Sequence, residues 1–258
     1  MKRILGIVFC VFYLSLSAQS IKGKAYYKTI TATNSDYSKM PEEKRLRLEK
    51  RDKELYEKTY ILTFNNKESI YKEVETLKEI SPYMLGVLSA MQSYIIESIY
   101  KNLDTNRIIE EREFLGKRFL IVDTLPKLDW ELEKESKQIG NYTVFKATGI
   151  KKMDLNDYRT TNSIKKDTVV GKNMANIVVT AWYTPQIPVS NGPDEYSGLP
   201  GLILELNMGQ TTFLCSKIIL DRGKANETIN PPKNGKIVTF NEFDIISKEK
   251  KKELKDKF

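Results

Sequence analysis

The chain has 258 residues, with 42 Lys and Arg against 34 Asp and Glu, two cysteines and no histidine. The missing histidine excludes serine triads, cysteine–histidine pairs and His-based zinc sites, and two cysteines are too few for a thiolate zinc cluster or a disulfide scaffold. A net charge of +8 does not point to nucleic acid, because the basic residues are not interleaved with aromatics as a nucleic-acid surface needs.

At the N-terminus, Lys2 and Arg3 precede an apolar run from Ile4 to Leu14, followed by the small residues Ser15, Ser17 and Ala18. This order predicts a secretory signal peptide over residues 1–18, too short in its apolar part for a membrane span, which needs about 20 apolar residues. The mature chain is therefore expected to have no transmembrane segment and to reside in the periplasm or outside the cell, with outer-membrane association left open. Cys10 leaves with the signal, so Cys215 stays unpaired, and its neighbours Phe213 and Leu214 predict burial. An exported chain seldom meets nucleic acid, which argues further against that partner.

The next residues, Ile21 to Ile30, place Ala25, Tyr26, Tyr27 and Ile30 among lysines, as in a half-buried strand. Pro41 opens a charged stretch to Lys58 with Glu42 and Glu43 in its first turn, which predicts an exposed helical insertion over about 41–58. Thr59–Phe64 and Ser69–Val74 read as a hairpin. Leu77–Ser93 is apolar but interrupted by Pro82 and Gly86, so it does not read as one regular element.

Strands are then expected at Tyr94–Lys101, Arg107–Phe114, Lys117–Asp123, Trp130–Glu135, Tyr142–Gly149, Ile177–Tyr183, Leu202–Asn207, Thr212–Leu220 and Ile237–Phe240. Most links are too short for crossover helices, so neighbours should pair antiparallel. The fold class is mainly β: an antiparallel curved sheet, a sandwich or an incomplete barrel, forming a single domain over 19–247. Residues 248–258 form a basic tail, expected as a solvated helix or frayed end.

The most constrained stretch is AWYTPQIPVSNGPDEYSGLPGLILEL, Ala181 to Leu206. Pro185, Pro188 and Pro193 punctuate a loop, and the chain re-enters a strand through Ser197, Gly198, Leu199, Pro200 and Gly201. Proline fixes φ while glycine permits close approach or positive φ, so Pro185, Pro188, Gly192, Pro193, Gly198, Pro200 and Gly201 describe one preferred loop conformation.

These residues resemble the GLPGLI family of exported Bacteroidota proteins, whose hexapeptide stands here as Gly198 to Ile203. The resemblance extends through Trp182-Tyr183-Thr184-Pro185, Ile187-Pro188 and Gly192-Pro193, and back to Asp129-Trp130-Glu131-Leu132 and Ile139-Gly140-Asn141-Tyr142, covering roughly Val122 to Leu220. It implies export from a Gram-negative bacterium and a β-rich domain, and it implies no reaction, ligand or catalytic set.

Among the residues themselves, Trp182 and Tyr183 should occupy opposite faces of their strand. Glu205 stands in a leucine strand, on the face opposite Leu202, Leu204 and Leu206. Trp182, Tyr183, Leu199, Leu202 and Glu205 are the candidate ligand-binding residues, the first four as the lining of an apolar groove beside the loop. The loop itself is read either as the groove's rim or as a structural keystone.

The leading expectation is a non-enzymatic binding or interaction module of the bacterial envelope, with an apolar ligand, a peptide or an envelope protein as partner. No catalytic residue, metal or cofactor is assigned. The competing class is a carboxylate-dependent hydrolase drawing on Asp123, Asp129, Asp194, Glu195 or Glu205, which would need two facing acids. An envelope structural protein, the third class, would have no groove.

Overall fold

A computed structural model of the chain describes residues 21–32, 36–74, 96–154, 174–221 and 228–256. The expected signal peptide with Cys10, and the ambiguous stretch Leu77–Ser93, lie outside the described residues. The order is β1 (Lys22–Thr31), α1 (Glu42–Tyr56), β2 (Glu57–Phe64), β3 (Glu68–Glu73), β4 (Ile96–Asn102), β5 (Arg107–Phe114), β6 (Lys117–Thr124), β7 (Glu131–Ile139), β8 (Tyr142–Asp154), β9 (Met174–Thr184), β10 (Leu202–Met208), β11 (Thr211–Asp221), β12 (Lys236–Val238) and α2 (Phe240–Lys255). No helix among the described residues is long and apolar enough to cross a membrane.

All twelve strands join one sheet in the order β12-β6-β5-β4-β3-β2-β1-β11-β10-β9-β8-β7. The first six strands form one meander and β7 to β11 another, and the two meet where β1 pairs antiparallel with β11. Residues 125–130 carry the chain from β6, near one edge, to β7, at the other. A link of that length reaches about 25 Å, whereas ten flat strand spacings would separate β6 from β7 by about 48 Å. The sheet must therefore curl, and it does so without closing into a barrel.

The concave side holds the main core. Ala25, Tyr27, Leu62, Phe64, Tyr71, Ile99 and Ile108 from the first meander meet Ala147, Val179, Ala181, Tyr183, Leu206 and Phe213 from the second. Alternation explains the choice, since residues two apart share a face. Cys215 belongs to this core and is a buried free thiol, its pKa pushed up to about 11 by burial.

Two expectations are corrected at the C-terminal end. The last strand stops at Val238, because Thr239 and Glu242 form a capping box that starts a helix: the Glu242 amide donates to Thr239 Oγ1 (3.2 Å), and the Thr239 amide to Glu242 Oε2 (2.7 Å). Phe240 thus begins α2, and the described part of the basic tail continues that helix. The second correction concerns pairing, since β12 runs parallel to β6. Ile229 first packs with Tyr100, Ile109 and Leu120 on the convex side. The chain then rounds the β6 edge, and Phe243 of α2 covers Phe114, Phe119 and Ile121 on the concave side. Beneath α2, Glu110 and Arg112 form a buried ion pair at 2.6 Å.

The charged helix stands as α1 immediately after Pro41 and lies against β1 and β2, tied by Tyr37 donating to Asp52 (2.6 Å).

Candidate functional site: a loop inside the curved sheet and the cleft beside it

The segment 185–201 joining β9 to β10 folds back into the concavity instead of lying over the surface. Its apolar residues Ile187, Val189, Tyr196 and Leu199 are buried, while Pro185, Pro188 and Pro200 are exposed. Buried loop backbone needs partners, and many come from within the segment or from the first residues of β10. Leu202 donates to Ile187 O (3.0 Å), Ile203 to Asn191 O (3.0 Å) and Tyr196 to Pro193 O (3.1 Å), and Asn191 bridges Ser197. Two glycines make the path possible. A Cβ on Gly201 would lie 2.2 Å from the Thr184 carbonyl oxygen, and Gly198 has φ +95° beside the Trp130 ring.

Distant strands supply the remaining ties. Tyr27 of β1 donates to Ile203 O at 2.6 Å, Ser69 of β3 to Asn191 Oδ1 at 3.3 Å, and the Trp130 indole to Ser197 O at 2.9 Å. Lys101 of β4 is 0% exposed, and its ammonium donates to Gly192 O (2.8 Å) and Tyr196 O (3.0 Å). Burial pulls its pKa down to about 7, opposed by the nearby charges of Asp194 and Glu195.

The residues singled out from the sequence fall on two faces. Tyr183, Leu199 and Leu202 enter the core. Trp182 and Glu205, cross-strand partners, face the convex side, where Lys137 joins them: its ammonium lies 4.2 Å from the Trp182 ring centroid and 2.6 Å from Glu205 Oε2. Asn207 donates to the other oxygen of Glu205 at 2.9 Å. The five do not line one groove.

A cleft of about 410 Å³ opens instead next to the loop's inner end. It is lined by Pro126, Lys127 and Leu128 of the β6–β7 link, by Ile150 to Met153 of β8, by Glu195, Tyr196 and Ser197, and by Phe240. Lys151 pairs with Glu195, and its ammonium stands 5.4 Å from the Tyr196 ring centroid. Burial pushes the Tyr196 hydroxyl far above the usual phenol range, and that hydroxyl donates to Met208 Sδ at 2.9 Å. Lys127 and Lys152 are exposed at the mouth.

The acids near the loop are engaged separately. Asp123 Oδ2 accepts from the Phe240 amide (3.1 Å), Asp194 Oδ1 accepts from the Glu195 amide (2.8 Å), and among the described residues the cleft lining holds a single carboxylate, Glu195. Among the described residues no three potential metal-ligating side chains converge. Sequence reasoning missed Lys101 and the lysines of the cleft. The signal for Lys101 was its parity with Ile99, which turns both inward.

The class that fold and site define is an open, curled antiparallel sheet with a buried connection and a small polar-rimmed cleft. Against known proteins, residues 130–205 match a family model described as "Protein of unknown function (Porph_ging)". That block runs from Trp130 through β7, β8, β9 and the buried loop to Glu205 in β10. Two solved structures of PNGF-II, in C2 and P21 space groups, superpose with a TM-score of 0.50 at 12% identity over 88% of this chain. The chain spans about a third of their length, 32% and 33% respectively, and at that identity the likeness concerns the fold. No curated protein matches the chain.

Proposed function

We propose that this chain is an exported, non-enzymatic binding module of the bacterial envelope, of the kind its GLPGLI hexapeptide resembles. In this reading residues 1–18 are removed on export and one domain extends to about residue 247. The loop 185–201 is the structural keystone, with Tyr183, Leu199 and Leu202 holding it in the core. Trp182 and Glu205 form a separate station on the convex face. Binding takes place in the cleft.

The observation that carries this reading is that the keystone's Glu195–Ser197 edge is itself a wall of the cleft, so one set of bonds both stabilises the fold and shapes the recognition surface. A hydrolase reading asks for two carboxylates across a cleft, and among the described residues only Glu195 lines this one.

The test is a screen of purified protein, expressed from the full chain, against peptides, glycans and lipid vesicles. The Lys127→Glu/Lys152→Glu double variant should lose the ligand that Trp182→Ala retains. The opposite result would move binding to the convex face, and turnover of any probe by the wild-type protein would sink the non-enzymatic reading.

A further inference from the structure

The cleft has a property that a pocket on a sheet face lacks. Successive residues of a strand point to opposite faces, so a facial pocket is lined by every second residue. Here Ile150, Lys151, Lys152 and Met153, four in a row, all line the cleft. A strand presents consecutive residues together only along its edge.

The register explains how that edge arises. β9 accompanies β8 from Phe145 to Asp154, but β7 accompanies it only as far as the Glu131–Thr148 pair. At Gly149 the β6–β7 link closes in: a Cβ there would lie 2.8 Å from the Leu128 side chain and 3.2 Å from the Asp129 carbonyl oxygen. Among the described residues, β8 from Ile150 onward has β9 on one side and the cleft on the other. An antiparallel strand turns the N–H and C=O of alternate residues to each side, so this stretch offers main-chain groups to the cleft.

From this geometry we infer that the cleft accepts an extended peptide segment as an added strand along Ile150–Asp154 of β8, with a preference for acidic sequences. This deepens, and rests on, the binding-module reading above. Strand addition draws affinity from main-chain hydrogen bonds and selectivity from the flanking side chains. The segment held would be four to five residues, about 13–17 Å long. The flanking side chains are cationic: Lys127 on the link and Lys152 on the strand are both exposed at the mouth, while the lining's one carboxylate, Glu195, is engaged by Lys151. Leu128 and Phe240 supply apolar contact for alternate side chains of the guest.

The experiment measures binding of acetylated, amidated hexapeptides to protein expressed from the full chain, with tryptophan fluorescence as the readout because Trp130 adjoins Tyr196 (ring centroids 6.5 Å apart). The probes are a Glu-Val alternating peptide, its Lys-Val counterpart, and two N-methylated forms of the acidic peptide, methylated at the odd or at the even residues. Strand addition predicts that the acidic peptide binds and the basic one does not. One methylation phase should lose about tenfold or more while the other is retained, since only one set of amides faces β8. Lys127→Glu/Lys152→Glu, two surface changes with little effect on folding, should exchange the charge preference.

Equal binding of both methylated forms, or of the acidic and basic peptides, overturns the inference. Binding of a neutral glycan or of phosphatidylethanolamine vesicles at the cleft, with no peptide bound, overturns the strand addition but leaves the module reading standing. No binding by any probe overturns both.

Discussion

The ammonium of Lys101 meets two carbonyl oxygens and no solvent; those dipoles and the nearby charges of Asp194 and Glu195 only partly offset its desolvation, whose cost appears as a pKa near 7 instead of 10.5. Between those two values the unfolded chain binds a proton that the folded chain does not. Stability therefore rises with pH across that window, and the penalty is fully present below the folded value. Urea unfolding between pH 7 and 8, where the Cys215 thiol, with an ordinary value of 9.0, stays largely protonated in both the folded and the unfolded chain, should show this positive slope, and Lys101→Met should flatten it. The same variant leaves the carbonyls of Gly192 and Tyr196 buried without their donor, a loss of about 1–3 kcal/mol per orphaned group before relaxation. Lys101→Met should thus be less stable than the parent at pH 7 despite removing a buried charge. If its unfolding midpoint rises instead, the ammonium is a burden on the loop and not its tie.

The buried connection and the C-terminal helix give two tests of how elements are held. At Gly201 the added methyl of alanine would collide with the backbone of Thr184, and neither side can yield cheaply, so Gly201→Ala should cost several kcal/mol, roughly 3 or more. At Gly140, with φ +56° but nothing within 4 Å of a Cβ, alanine meets only the left-handed backbone penalty of about 1 kcal/mol. Thermal unfolding of the pair should separate steric exclusion from backbone preference, and equal costs would mean that the connection relaxes freely. In α2, Thr239→Ala removes one half of the capping box and should cost about 1 kcal/mol. Phe243→Ala opens the layer above Phe114 and Phe119, where both ring pairs are edge-on, and should cost about 3–5 kcal/mol. Near-UV circular dichroism should register the second change far more than the first.

At the scale of the whole molecule, the strands were legible because each is a short alternating run, and α1 because Pro41 and the acids after it announce a helix start. Two things were not. The constrained character of the loop could be read from its prolines and glycines, but its placement inside the sheet depends on Tyr27, Ser69 and Lys101, more than ninety residues away in chain order. The cleft depends on where β7 stops accompanying β8, a matter of tertiary register that no local pattern encodes. The joining of the two meanders is equally nonlocal. β1 sits between β2 and β11, and the Thr31 and Thr211 hydroxyls that meet at 2.9 Å are 180 positions apart. A chain emerging from its N-terminus can form the hairpins of each meander early, because they close short loops. Its first strand must then wait, with one row of amides and carbonyls exposed, until almost the last strand arrives. The seam between β1 and β11 is thus the slow, late step of folding, and a chaperone that shields one strand edge during that interval would act there first.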